Sequence, residues 1–407
     1  MPCYKLLPLD NTINKKHDLA LVGQINLAGS ISRIPLVILD MLKDDLEICF
    51  KHTNTYNNSG LLENIKTIIE RETTHKATAA LLTDVLWVPT YDIYKETPDC
   101  EIKFAYSMNE STKIVPEWVR ALNNYFDAVL VPDKFIAQVY KKSGVTIPIF
   151  ELPLPIYLDS FLKKTKKHSV DTPFVFGCSA IHEKRKNLDL VIDSFALTFK
   201  NNSQVHLKIH TKSAYREKEL REKIASKNMQ TISLILNTFD TESYADFIAS
   251  LDCYVFLSKG EGFSITPREA LAAGIPCIVS KNTAQKTICD SGYVYAVDSN
   301  IKERGIYDFN GPEELKNNQD IGYQFNCTLK DSCKALKTVY ERYPFYLKKA
   351  ENGRIWVQHY TLENLKKRYL CLFKPKKIML GRKNTITDSC ITTNSKKLYD
   401  KIKRAYF

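Results

Sequence analysis

Short apolar runs alternate with helical patterns along this chain, an order that helix-flanked parallel sheets accommodate best. In the first half the runs are Asp18–Ile25, Leu46–His52, Leu81–Pro89, Ile102–Met108, Ala128–Pro132 and Ile147–Pro153. Helical spacing occupies Ile31–Leu42 and Pro116–Tyr125. In the second half the runs are Phe174–Ala180, Val205–Thr211, Thr231–Leu236, Cys253–Ser258 and Ile275–Ser280. Helices are expected between them at about Leu188–Phe199, Ala214–Ala225 and Glu242–Leu251. At 407 residues the chain exceeds one ordinary core. The expected fold class is α/β, with two Rossmann-like domains facing a central cleft. Their spans are 1–160 and 161–350, with the polar stretch Leu158–Pro173 as the linker.

A 44% hydrophobic and 26% charged composition is that of a soluble globular protein, and a cytoplasmic location is expected. No run reaches the roughly 18 apolar residues of a membrane span, and the N-terminus lacks a signal-peptide core. The 11 cysteines form no C-x-x-C pair, which argues against a disulfide framework or a zinc site. Cys253 and Cys277 read as small core hydrophobes. Of the net charge of +12, the tail from Lys374 onward carries +8, from ten Lys/Arg against two Asp. The body is therefore nearly balanced, which argues against nucleic acid as a partner. The tail interleaves its cations with Phe373, Ile378, Met379, Leu380, Tyr399 and Phe407. It is either a solvated segment or a peripheral contact with an anionic membrane.

The block "KGEGFSITPREALAAGIPCIVS", Lys259 to Ser280, reads as loop, short helix and strand. Pro267 suits a first helical turn, and Gly274 ends the helix before Pro276. Such a unit presents backbone N–H groups at the C-terminal edge of a parallel sheet, where phosphate-bearing ligands bind. Glu261 and Glu269 flank the helix start, and carboxylates accept hydrogen bonds from ribose and sugar hydroxyls. Their plainer role is to complement the helix dipole.

Lys184, Arg185 and Lys186 precede the helix expected at Leu188. The macrodipole disfavours cations there by about 0.3–1 kcal/mol each, and a bound diphosphate would reverse that sign. In a solvated loop the same side chains would simply reach water. Neither half carries G-x-G-x-x-G or G-x-x-x-x-G-K-[ST], so dehydrogenase and P-loop chemistry lose their main support. No D-x-D pair offers itself to a divalent metal, so no metal and no cofactor is expected.

With these residues in view, the chain resembles the family 4 glycosyltransferases, which have the GT-B fold. "EGFSITPREA" has their Glu-x7-Glu spacing, and "RKNLDLVIDSF" resembles their phosphate-binding loop and helix. "NESTKIVPEWVRALNNYFDAVLVPDKF" and "SGVTIPIFELPLP" look like the acceptor-domain segment of bacterial members. The resemblance covers most of Leu19 to Tyr360. It implies an acceptor-binding first domain and a nucleotide-sugar-binding second. Residues 351–373 would be the C-terminal helix crossing back to the first domain, and 374–407 a basic tail. Glu261 would contact the transferred sugar and Glu269 the ribose. The N–H groups of Phe263, Ser264 and Ile265, beside Gly262, would face sugar and phosphate, while Arg185 and Lys186 hold the diphosphate.

Three departures stand out. Ser179, Ala180 and Ile181 stand where relatives often carry Arg, and Met108, Asn109 and Glu110 where many have His. Glu110 is the substitute candidate for the acceptor side; alternatively Asn109, Glu110 and Ser111 make a turn or cap. Gly29, in "GQINLAGSISRI", either lets backbone approach a ligand or makes a turn. The lone His182 and His210 read as structural or solvated.

The resemblance implies a retaining, metal-independent glycosyltransferase. It would use a nucleotide-sugar donor and a glycan or glycolipid acceptor, such as a surface glycan or lipopolysaccharide. A nucleotide-sugar epimerase, or a binding protein without activity, are the alternatives.

Overall fold

The computed structural model describes residues 17–25, 31–53, 61–71, 76–88, 91–164, 173–200, 202–306 and 319–373. Gly29, residues 165–172 of the expected linker and the basic tail 374–407 lie outside them. Packing groups the chain into two units, one of Met1–Ser107, Ala121–Leu130 and Lys366–Phe407, the other of Met108–Arg120 and Val131–Leu365. In this grouping Met108–Arg120 belongs with the second unit.

The first sheet contains β1 (His17–Gly23), β2 (Ile48–His52), β3 (Ala77–Leu82), β4 (Ile102–Tyr106), β5 (Ala128–Val131) and β6 (Ile149–Glu151). Their order is β2-β1-β3-β4-β5-β6, and the pairings from β2 to β5 are parallel. Between the strands run α1 (Arg33–Leu42), α2 (Glu63–Glu70), α3 (Pro116–Tyr125) and α4 (Lys134–Lys142). β3 corrects the expected strand at Leu81–Pro89. Its sequence, ATAALL, carries little β-propensity, but Ala79 and Ala80 are fully buried between β1 and β4. Tertiary packing decides this strand, while the Val- and Trp-bearing stretch after it forms loop.

The second unit continues with α5 (Asp159–Leu162), β7 (Phe174–Ser179), α6 (Leu188–Phe199), β8 (Val205–Thr211), α7 (Glu217–Ala225) and β9 (Ile232–Leu236). It goes on through α8 (Thr241–Ala249), β10 (Cys253–Phe256), α9 (Ile265–Ala272), β11 (Cys277–Lys281), α10 (Gln285–Asp290) and β12 (Tyr295–Asp298). Its sheet runs β12-β11-β10-β7-β8-β9, with every pairing parallel. The core beneath it is aromatic: Phe176 packs against Phe195 and Phe199 with ring centroids 6.3 and 5.5 Å apart. β12 and a short antiparallel hairpin, β13 (Ile301–Arg304) with β14 (Tyr323–Asn326), went unanticipated. β13 carries too few apolar residues to announce itself.

Three C-terminal helices follow: α11 (Leu329–Glu341), α12 (Tyr343–Trp356) and α13 (Leu362–Phe373). The single helix expected over residues 351–373 is interrupted by a 3₁₀ turn at Val357–Tyr360. In the first unit, α13 places Phe373 edge-on to Phe104 at 5.7 Å and pairs Lys366 with Asp45 at 2.6 Å.

Candidate functional site

The block that follows β10 folds as the sequence suggests. A loop leads from Leu257 to Ser264, α9 begins at Ile265, and Gly274 takes a positive φ of 74° before β11. Ser264 also lies in the left-handed region, with φ 64° and ψ 78°. That conformation costs a non-glycine residue about 1–2 kcal/mol, so something must hold it.

The loop is tied to the cationic turn at several points. The Lys259 N–H donates to the Arg185 carbonyl at 2.8 Å, and Asn187 Nδ2 donates to the Leu257 carbonyl at 3.0 Å. Asn187 itself is left-handed, a conformation Asn tolerates well, and it joins the 3₁₀ turn Lys184–Lys186 to α6. The cations therefore sit on that turn.

Glu261 is 7% exposed and collects three donors on one oxygen. Lys186 Nζ lies 2.7 Å from Oε1, Arg185 Nη1 2.8 Å and Ser258 Oγ 2.7 Å. The Glu261 N–H donates to Thr283 Oγ1 at 2.8 Å. Burial pushes this carboxyl up, but Lys186 and Arg185 outweigh it and hold it below its ordinary value. Among the described residues Oε2 receives no donor, so it is the oxygen available to a ligand hydroxyl.

Glu110 joins this cluster. Gly260 permits it: a Cβ there would stand 2.0 Å from the Glu110 carbonyl oxygen, and a Cβ at Gly262 would stand 3.0 Å from Met108 Cβ. Only glycine allows the two loops to close so tightly at residue 260. The Glu110 carboxylate lies 3.9 Å from Arg185, which also pairs with Glu183 at 3.3 Å. Burial and the Glu261 carboxylate hold the Glu110 carboxyl above its ordinary value, against the pull of Arg185. The turn work expected of this segment falls to its neighbours, since Asn109 Nδ2 donates to the Ser111 carbonyl at 2.7 Å. Three carboxylates thus surround the two cations, where a bound diphosphate was the expected neutraliser.

Glu269 lies in α9 and is 4% exposed. The Ser264 hydroxyl is buried without a hydrogen-bond partner among the described residues. The N–H groups of Phe263, Ser264 and Ile265 likewise make no hydrogen bond among the described residues. A row of uncommitted donors at a helix N-terminus suits an anion. Gly29 remains outside the described residues.

The histidines do structural work. His182 bridges Asp189 Oδ1 (3.2 Å) and the Arg216 carbonyl (3.1 Å). His210 Nε2 faces the Asn237 carbonyl at 2.9 Å, which leaves Nδ1 to accept from Ser179 Oγ at 2.8 Å. Burial pushes the His210 pKa down, in keeping with a neutral ring stacked on Phe239. Ser258, Thr283, Asn187 and Arg268 went unnoticed in the sequence. Only Asn187, an Asn between a turn and a helix, carried a local signal.

Residues 160–304 match a family model described as Glycosyl transferases group 1. Among solved structures, the chain is similar to a sucrose-phosphate synthase from Thermosynechococcus elongatus, with TM-score 0.64, 11% identity, 90% of this chain and 100% of that one covered. It is similar to Anabaena HepE, solved with UDP and glucose, with TM-score 0.60, 14% identity and 86% and 98% coverage. It is also similar to WaaG, a glycosyltransferase involved in lipopolysaccharide biosynthesis, with TM-score 0.59, 13% identity and 87% and 99% coverage. Of chains in the GtfA/B complex and TarM structures it spans only 56% and 54%. A protein of Sulfolobus islandicus rod-shaped virus 1 is 19% identical over 271 residues, 64% of this chain and 73% of that protein. At these identities the solved structures establish the fold, which is GT-B.

Proposed function

From a GT-B fold whose residues 160–304 match the glycosyl transferases group 1 model, we propose that this chain is a glycosyltransferase of the family 4 type. It takes a nucleotide sugar, needs no metal, and retains anomeric configuration. The observation that carries this reading is the junction of Arg185 and Lys186 on the buried Glu261, beside the uncommitted N–H groups that open α9.

A nucleotide sugar presents a dianionic diphosphate, ribose hydroxyls and a sugar. Arg185 offers a bidentate fork and Lys186 a point charge to the diphosphate. The N–H groups of Phe263, Ser264 and Ile265 add dipoles at no reorganisation cost. Glu261 holds both cations through Oε1 and turns Oε2 to a sugar hydroxyl, and its charge favours oxocarbenium character at the anomeric carbon. Glu269 accepts from the ribose. In the reaction the anomeric C–O bond to the diphosphate breaks, its electron pair leaving with the phosphate oxygen. The acceptor oxygen bonds to the anomeric carbon and gives its proton to the ionised Glu110 carboxylate. Glu110, with its raised carboxyl pKa, is the acceptor-side polar group. HepE was solved with UDP and glucose and WaaG is involved in lipopolysaccharide biosynthesis, so UDP-sugars are the first donors to try and a glycan or glycolipid the first acceptor. The basic tail would hold the enzyme at an anionic membrane surface.

Steady-state kinetics separates the two glutamates. Glu269→Gln should raise KM for the donor by roughly 10- to 150-fold, the worth of about 1.5–3 kcal/mol for a charged hydrogen bond, with kcat little changed. Glu261→Gln should depress kcat and leave nucleoside diphosphate affinity nearly intact. Wild-type kinetics in both folded variants would reduce the pair to helix-dipole partners and remove the site.

A further inference from the structure

Arg268 is fully buried and is the largest of the fully buried side chains among the described residues. A guanidinium out of water is costly unless its donors and charge are met. Among the described residues no carboxylate lies within ion-pair distance of it. Its partners are backbone carbonyls and ring faces. Nη1 donates to the carbonyl of Phe263 and, at 2.9 Å, to that of Ser264. Nη2 reaches the Tyr360 hydroxyl at 3.5 Å. The guanidinium carbon stands 4.0 Å from the ring centroid of Phe263, 4.5 Å from Tyr360 and 5.9 Å from Trp356. Such a cage replaces part of the lost hydration by aromatic quadrupoles and by the carbonyls of Phe263 and Ser264, while Nε has no hydrogen-bond partner among the described residues.

The choice of carbonyls has a geometric consequence. A trans peptide is planar, with C=O and the following N–H pointing in opposite directions. Turning the Phe263 carbonyl toward Arg268 therefore turns the Ser264 N–H away from it. Turning the Ser264 carbonyl toward Arg268 does the same for the Ile265 N–H. Those two N–H groups make no hydrogen bond among the described residues, and Ser264 is held left-handed between the two anchored peptides. We infer that Arg268 is a positioning residue: through the carbonyls of Phe263 and Ser264 it aims the N–H groups of Ser264 and Ile265 at the phosphate groups of the ligand. This rests on the nucleotide-sugar reading of the site. Arg268 contributes charge and direction through the backbone, without touching the ligand itself.

The test compares wild type with Arg268→Leu and Arg268→Lys. UDP, GDP and ADP, and the matching nucleosides without phosphate, are titrated calorimetrically, and backbone amide chemical shifts are compared by NMR in the free proteins. Arg268→Leu should weaken binding of the recognised nucleoside diphosphate about tenfold, the worth of one charged hydrogen bond, while its nucleoside binds within twofold of wild type. The backbone amide shifts of Ser264 and Ile265 should move in Arg268→Leu while those of β7 and β8 stay in place. Arg268→Lys, which keeps the charge and a donor in the cage, should recover part of both effects. It also serves if the leucine variant fails to fold. Unchanged diphosphate affinity in a folded variant would overturn the inference, as would equal losses for diphosphate and nucleoside. If wild type binds none of the three diphosphates, the donor reading is what fails. The amide shifts then decide for Arg268 alone: unchanged shifts at Ser264 and Ile265 in Arg268→Leu overturn its aiming role.

Discussion

Lys186 Nζ lies 2.7 Å from Glu261 Oε1, the same oxygen that Arg185 Nη1 reaches at 2.8 Å. One carboxylate oxygen thus gathers both cations of the turn before α6, on the loop that leads into α9. The arrangement is stabilising only while Glu261 is ionised. Its pKa in the folded protein lies below the ordinary 4.5 despite burial, because Lys186 and Arg185 outweigh desolvation. A depressed acid contributes stability that is present above the unfolded value and lost as pH falls through the folded one. Glu261→Gln should therefore cost about 1–3 kcal/mol at neutral pH. That difference should shrink as pH drops below about 4.5, the ordinary value from which Glu261 is shifted down. Denaturant unfolding of both proteins from neutral to acid pH checks it; a difference independent of pH would contradict the pairing.

Gly260 is the residue that lets Glu110 approach. A methyl group there would meet the Glu110 carbonyl oxygen at 2.0 Å, and a backbone oxygen cannot swing aside as a side-chain tip does. Gly260→Ala should lower stability by about 1–3 kcal/mol or more. Denaturant midpoints measure this. An alanine variant as stable as wild type would mean that the two loops do not meet this closely.

Much of this is legible in the sequence, for a physical reason that also explains the gaps. α6 at Leu188–Phe199 and α3 at Pro116–Tyr125 stand where periodicity placed them, because apolar spacing and terminal signals agree there. β3 was misplaced because ATAALL is a strand by packing against β1 and β4 rather than by propensity. At the site, the Glu-x7-Glu spacing and the basic triplet marked the block. Ser258, Thr283 and Arg268 were invisible because their roles are set by backbone groups distant in space or hidden inside the helix start. Arg268 in particular sits among residues that read as an ordinary helix, and only its burial against Phe263 and Tyr360 distinguishes it.

Glu110 should act on the acceptor side. Burial, with help from Glu261, raises its carboxyl above the ordinary value, so the ionised, proton-accepting form appears only as pH rises past that raised value. Glu110→Gln should lower kcat with an acceptor by about 10²–10⁴-fold and remove the acid limb of the pH–rate profile. Nucleoside diphosphate affinity should change by less than threefold. A variant that keeps wild-type kcat leaves Glu110 as a wall of the cation cluster only.

The basic tail yields a separate expectation. With each cation near an anionic lipid surface worth about 1 kcal/mol, the intact protein should bind anionic liposomes at low salt and lose that binding when cut after Leu372. Turnover of soluble substrates should survive the truncation. Sedimentation with liposomes measures it, and an intact protein that stays in the supernatant contradicts membrane contact.

Nucleotide-sugar transfer in which Arg185, Lys186 and the start of α9 carry the leaving charge is directly measurable. Its most direct measurement is donor turnover by the purified protein across a panel of UDP-, GDP- and ADP-sugars in excess EDTA, beside Lys186→Ala. Nucleoside diphosphate should be released from one donor class, undiminished by EDTA, with kcat/KM reduced at least tenfold in the folded alanine variant. Turnover abolished by EDTA and restored by Mn²⁺ or Mg²⁺, or equal turnover in Lys186→Ala, would contradict it.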